Sequence, residues 1–155
     1  MAVSLGPDGL TLDGVTIFDE ATAALIQVNS DLSGSGTTIN SASFSDIGLS
    51  RSITPTSTSS KILVILSGSL QQDDGNGAQA RVRVLRDSTS VIEHYVCHDP
   101  DNGPFGVGYC LVELDAPNTT GQITYKAQAR TTNSSSDFRP NQGSGDRLIV
   151  MEIAQ

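Results

Sequence analysis

Ser52-Ile-Thr-Pro-Thr-Ser-Thr-Ser-Ser-Lys-Ile-Leu-Val-Ile-Leu-Ser-Gly-Ser-Leu70 joins a hydroxyl-rich polar loop around Pro55 to the longest apolar run of the chain, residues 62–66. A run of this length is too short for a free-standing helix and rich in β-branched residues, so it reads as a strand buried on both faces. Periodicity alone leaves a helical reading open. The segments on either side supply the neighbours such a strand needs. Downstream, Arg81-Val-Arg-Val84 alternates, with Ala80, Val82 and Val84 on one face and the arginines on the other. Ile123-Thr-Tyr-Lys-Ala-Gln-Ala129 repeats the pattern, with Ile123, Tyr125, Ala127 and Ala129 facing in. Both suit strands with one wet face. Leu148-Ile-Val-Met-Glu-Ile153 is another nearly continuous apolar run.

Strands are therefore expected near 40–46, 49–54, 61–70, 79–86, 90–98, 107–115, 122–131 and 147–153. Turn signals separate them at Asp73-Asp-Gly-Asn-Gly77, Asp87-Ser-Thr89, Ala116-Pro-Asn-Thr-Thr-Gly121 and over 133–146. This spacing indicates an all-β, antiparallel two-sheet sandwich, for which a jelly roll is the commonest eight-stranded form. Composition agrees. A chain of 155 residues is one ordinary domain, and 37% hydrophobic content with 15 glycines and no tryptophan favours strands and turns over long helices.

The first 50 residues differ. Leu5-Gly-Pro-Asp-Gly-Leu-Thr-Leu-Asp-Gly-Val-Thr-Ile-Phe18 carries two turn signals, around which Leu10/Leu12 and Val15/Ile17 alternate as in a small extended or hairpin element. Asp19-Glu-Ala-Thr-Ala-Ala-Leu-Ile-Gln27 has the spacing of a two-turn helix, with Phe18, Ala21 and Leu25 on one face. Asp31-Leu-Ser-Gly-Ser-Gly-Thr-Thr38 has linker composition. An extended N-terminal arm, residues 1–41, is thus expected beside a sandwich over 42–155. The arm's apolar residues Leu10, Leu12, Val15, Ile17 and Phe18 are the candidate contacts to a partner, since a segment that orders on binding needs apolar anchors.

The net charge of −8 argues against nucleic-acid binding. No segment approaches the roughly 18 apolar residues of a membrane span, and no basic n-region leads into an apolar one, so neither membrane insertion nor export by the usual route is expected. Cys97 and Cys110 flank the turn Asp99-Pro-Asp-Asn-Gly-Pro104. If the flanking strands form a hairpin the two could lie opposite each other and bridge; in a reducing cytosol they read as two buried thiols.

Catalytic patterns fare poorly. His94 and His98 with Asp99 and Cys110 are of zinc-binding types, but residues four apart on one strand lie about 13 Å apart. Asp73, Asp74 and Asn76 hint at calcium yet lack the regular spacing and closing acid of a calcium loop, leaving an acidic turn. No serine sits in Gly-x-Ser-x-Gly, no Ser/His/Asp set is ordered along the chain, and no glycine loop is built for phosphate. Asn118-Thr-Thr120 and Asn133-Ser-Ser135 match a glycosylation pattern, as chance allows in Ser/Thr-rich loops. Neither a catalytic site, a metal nor a cofactor is expected.

Six motifs carry a resemblance: Phe44-x-x-x-Gly48-Leu-Ser-x-Ser52-Ile-Thr-Pro55, Ser59-Ser-Lys-Ile-Leu-Val64, Leu85-Arg-Asp-Ser-Thr89, Leu114-Asp-Ala-Pro-Asn-Thr-Thr120, Thr124-Tyr-Lys-Ala-Gln128 and Met151-Glu-Ile-Ala-Gln155. In this order they resemble a recurrent C-terminal module of tailed-bacteriophage virion proteins, over roughly residues 42–155. The resemblance implies a trimeric β-sandwich displayed on a virus particle. It supplies no catalytic residues, because that family is associated with particle structure and adhesion. The expectation is a non-enzymatic virion protein made in the bacterial cytoplasm, in first place a homotrimeric capsid decoration (cement) protein whose arm docks on the major capsid or another virion protein. The absence of heptads or other shaft-forming repeats favours a compact knob. The alternative is a tail-fibre or head-fibre tip recognising host surface glycan, with 99–105 and 134–145 as exposed loops. A cytokine-like or complement-like trimeric domain comes third, since it would call for an export signal.

Overall fold

A computed structural model of the chain describes residues 3–6, 9–12, 15–18, 25–32, 37–72, 78–98, 105–132, 137–140 and 145–154. Its strands are β1 (Val3–Gly6), β2 (Gly9–Leu12), β3 (Val15–Phe18), β4 (Leu25–Leu32), β5 (Ser45–Ile53), β6 (Lys61–Gln72), β7 (Gln79–Arg86), β8 (Thr89–His98), β9 (Phe105–Asp115), β10 (Ile123–Thr131), β11 (Phe138–Pro140) and β12 (Arg147–Ile153). β1–β3 form a small antiparallel meander. The rest build two antiparallel sheets that pack as a sandwich. One runs β4-β12-β6-β9, with β11 continuing the lane of β12 beside the far end of β6. The other runs β5-β10-β7-β8. Counting β4 as the first sandwich strand and β12 as the eighth, the sheets read 1-8-3-6 and 2-7-4-5. That is the jelly-roll order, so the expected fold is the observed one.

From β4 to β12 the chain passes from one sheet to the other at most connections, and β7–β8 and β11–β12 are the exceptions. The two-residue β7–β8 turn puts Asp87 at a φ of 53°, a conformation that aspartate tolerates better than most residues. The Asp87 amide donates to the Thr124 carbonyl (2.7 Å) and its Oδ1 accepts from the Thr124 amide (3.0 Å), which pins the hairpin to β10. Between the sheets lies an aliphatic core. Ile62, Val64, Leu66 and Leu70 of β6 and Leu148 and Val150 of β12 meet Ile47, Leu49, Val82, Val84, Ile123, Tyr125 and Ala127 from the opposite sheet. Each such large side chain, fully buried, contributes about 1.5–3 kcal/mol.

Several expectations change. Residues 62–66 are not buried on both faces: Ile62, Val64 and Leu66 are buried while Leu63 and Ile65 are only half-buried, because among the described residues no second layer covers the outer side. The strands expected over 40–46 and 49–54 are one strand, β5, which runs through Gly48 at a positive φ of 81°. β11 forms inside the region read as one long turn. The helix expected over 19–27 gives way at its end, since Leu25, Ile26 and Gln27 open β4; residues 19–24 lie outside the described residues. Asp31 and Leu32, assigned to the linker, close β4, and Ile39 is buried and pairs with Phe138. The sandwich thus begins well before residue 42. Its first strand is β4, and without it β12 loses a complete ladder.

Candidate assembly face

β4 is amphipathic with its polarity reversed. Gln27, Asn29 and Asp31 turn toward the other sheet, and each reaches the backbone of the neighbouring edge. Gln27 Nε2 donates to the Thr54 carbonyl (2.8 Å), Asn29 Nδ2 to the Ser52 carbonyl (3.1 Å), and Asp31 Oδ2 accepts from the Ser50 amide (3.1 Å). The rungs advance by two residues on each strand, in opposite directions. They occupy backbone groups that an edge strand would otherwise leave open to pairing. Arg51 locks the same edge, donating to the Ser30 carbonyl and pairing with Asp31 (3.0 Å).

At the foot of this zipper Glu152 is fully buried on β12. It accepts from Gln27 Nε2 (2.6 Å), the Thr56 amide (2.6 Å) and Thr56 Oγ1 (2.8 Å). Burial alone would push its carboxyl up, but the hydrogen bonds from Gln27 and Thr56 outweigh that and hold it down at about 2. Two other carboxylates, the buried Asp146 and the half-buried Asp115, tie strands together. Asp146 accepts from the Ser69 amide (2.9 Å) and the Tyr109 hydroxyl (2.7 Å). Asp115 accepts two bonds from Arg86 Nη1 and a third from the Tyr125 hydroxyl, each at 2.6 Å. Burial, then the adjacent carboxylate, raises both tyrosines far above their usual value, so they stay protonated donors.

With the polar side of β4 used inside, its apolar side faces out. The cross-strand rows of the outer face are Leu114–Leu63–Met151–Val28 and Val112–Ile65–Ile149–Ser30. Seven of these eight residues are aliphatic or Met. Val112, Leu114 and Val28 are 55%, 52% and 49% exposed, and Leu25 and Ile26 extend the surface at its edge. Lys61 and Arg147 stand at its margins. An apolar sheet face of this extent is the mark of an interaction surface. The apolar runs at 62–66 and 148–151 pointed to it in the sequence. The part played by β4 was missed, although Leu25-Ile-Gln-Val-Asn-Ser-Asp-Leu32 does alternate.

The candidate anchors Leu10 and Leu12 lie in β2, and Val15, Ile17 and Phe18 in β3. The register aligns Val3–Leu12–Val15 and Leu5–Leu10–Phe18 as apolar rows with Ser4–Thr11–Thr16 as a polar row between them, and Ile17 stands at the register shift. Cys97 and Cys110 are not bridged: Cys97 is buried on β8, whereas Cys110 is exposed on β9 in the other sheet, because β8 and β9 do not form the hairpin that would oppose them. His94 and His98 are both on β8. Among the described residues no three His, Cys, Asp or Glu side chains cluster as metal ligands do. Asp73, Asp74, Asn76 and Asp99, and most of the loops 99–105 and 134–145, lie outside the described residues.

No family model and no curated protein matches the chain. Solved structures do. A T13 viral particle of IBDV aligns at 14% identity over 97% of this chain and 35% of that one, with a TM-score of 0.53. The likeness is one of fold. The infectious bursal disease virus VP2 subviral particle aligns at 12% identity over 97% of this chain and 37% of its own, with a TM-score of 0.48. A sugar-binding protein, the EclA C-terminal domain, aligns at 14% identity over 94% and 88%, with a TM-score of 0.37. The chain spans about a third of the length of the two viral chains.

Proposed function

We propose that this chain is a non-enzymatic structural protein of a virus particle, a jelly-roll subunit that assembles with copies of itself through the outer face of the β4-β12-β6-β9 sheet. The observation that carries this reading is the reversed edge strand. Gln27, Asn29 and Asp31 are spent inside, so Val28 joins Met151, Leu63 and Leu114 in one apolar row. A soluble monomer gains nothing from that arrangement, whereas a closed oligomer buries it. The fold shared with a viral-particle protein supports the same reading. Its most specific form is a homotrimeric decoration protein on the capsid of a tailed bacteriophage, with the meander of β1–β3 docking on a major capsid or other virion protein through Leu10, Leu12, Val15, Ile17 and Phe18. The apolar rows that the meander's register aligns support that role, because a segment that orders on binding needs apolar anchors.

The test uses two glutamates. I65E places a charge on the outer face and V64E places one in the core. The unaltered chain should sediment as a trimer at micromolar concentration and I65E as a folded monomer, while V64E unfolds. Trimers of I65E as stable as those of the parent would remove the assembly face. Particles imaged with and without the protein then read its location.

A further inference from the structure

We propose that the opposite face of the sandwich, the outer side of the β5-β10-β7-β8 sheet, binds an acidic polysaccharide, with Arg81 and Arg130 gripping a sugar carboxylate and Tyr95 stacking on the ring beside it. This goes beyond the assembly role and does not depend on it, since it concerns the other sheet. Tyr95, Arg81 and Arg130 are successive cross-strand partners on β8, β7 and β10. Two arginines directly opposite each other in a ladder repel and weaken the sheet. No carboxylate lies within ion-pair distance of Arg130 among the described residues, and Arg81 has one longer contact, to Glu93 at 3.3 Å. Arg83, one row away, is bound through Nε (2.9 Å) and Nη2 (2.6 Å) to a neutral acceptor, Gln128 Oε1. Its guanidinium lies 3.8 Å from the centre of the Phe44 ring, with that of Arg130 at 5.1 Å on the same ring. Stacking on Phe44 fixes both cations without neutralising them.

Among the described residues the face therefore carries Arg81, Arg83, Lys126 and Arg130 against Asp46 and Glu93, an excess of two positive charges on a chain of net −8. That balance selects the ligand. A dense polyphosphate would be repelled by the rest of the molecule, whereas a polymer with one carboxylate per sugar meets a local, modest field. A guanidinium pair suits a carboxylate's two oxygens, and Tyr95, 38% exposed, offers a flat apolar ring with a polar tip. Ser52 and Thr124, whose hydroxyls already meet at 2.8 Å on the same sheet, supply donors and acceptors for sugar hydroxyls.

Titration calorimetry of the full chain with polygalacturonate, dextran and polyglutamate tests this. Polygalacturonate should bind, more weakly as salt rises, and dextran should not. R81Q/R130Q should weaken polygalacturonate about tenfold or more and Y95A severalfold, each with an unchanged circular dichroism spectrum. Should the double variant fail to fold, R130K, which keeps the charge and loses the fork, should still weaken binding severalfold. The proposal is overturned by no binding of polygalacturonate, by equal binding of dextran, or by unchanged affinity in the folded arginine variants. Polyglutamate bound in place of polygalacturonate overturns it too and marks the face as a dock for an acidic protein.

Discussion

Glu152 shows how much one side chain can hold together. Its carboxylate joins β12, the edge strand β4 through Gln27, and the loop after β5 through Thr56. Its folded value of about 2 lies below the ordinary 4.5. As acid is added, the unfolded chain takes up this proton before the folded one does. The stabilisation is therefore complete above pH 4.5, falls as pH drops from there toward 2, and is gone below. Thermal melts across that range should show E152Q losing less stability on acidification than the parent, while being less stable at pH 7 by about 2 kcal/mol. Parallel pH profiles for the two proteins would remove this role. Gly68 is a second such residue, for a reason of space alone. A Cβ there would run into the Asp146 carboxylate, which is buried and already bonded to the Ser69 amide and the Tyr109 hydroxyl. G68A should cost about 3 kcal/mol in denaturant titration, a large penalty for one methyl group. A cost under about 0.5 kcal/mol would mean that Asp146 can shift.

Among the elements, β4 decides where the domain starts. Removing residues 1–24 should leave a jelly roll that melts within a few degrees of the full chain, because the described sandwich begins at Leu25. Removing 1–32 takes away the ladder to β12, the three side-chain rungs to β5 and a hydrogen bond to Glu152. That shorter chain should be unfolded or aggregated by circular dichroism and light scattering. A particle pull-down with the 25–155 chain then reads the docking role of the meander, and normal occupancy would move the anchor onto the sandwich. The elements also show what could be read from sequence. β7 and β10 were legible because their apolar residues alternate over 80–84 and 123–129 and face the core. β6 was legible as a strand but not as one-sided, since its outer residues Leu63 and Ile65 look the same in sequence whether a neighbouring sheet or a neighbouring molecule covers them. β4 was hidden because its inward residues are Gln, Asn and Asp, poor strand formers whose partners are backbone groups 19 to 27 residues away. The alanines before it, Ala21, Ala23 and Ala24, drew a helix reading across the start of β4. The arginine row was likewise half visible: the alternation put arginines on a wet face, but only strand pairing sets Arg81 against Arg130.

At the scale of the whole molecule the two sheets present unlike outer surfaces, one apolar and one cationic, from a single alternating pattern. In the proposed assembly the apolar surface is covered and the cationic one is left outward, so I65E should abolish oligomers without changing affinity for an acidic polymer. Loss of both in that folded variant would mean that binding depends on multivalency. The strand order has a kinetic consequence as well. β12 lies between β4 and β6, so among the described residues the earliest sandwich strand takes its ladder partner from the latest one, and β6 waits for β9 and β12 alike. Within the sandwich the β7–β8 hairpin is the ladder that can close early. Such a chain has a high contact order, so stopped-flow refolding should take milliseconds to seconds, with the β7–β8 turn as a local seed. A submillisecond return of the native signal would mean that the ladders need not wait for one another. Until β12 arrives, β6 keeps an exposed, strongly apolar edge, and crowded nascent chains can pair through it out of register.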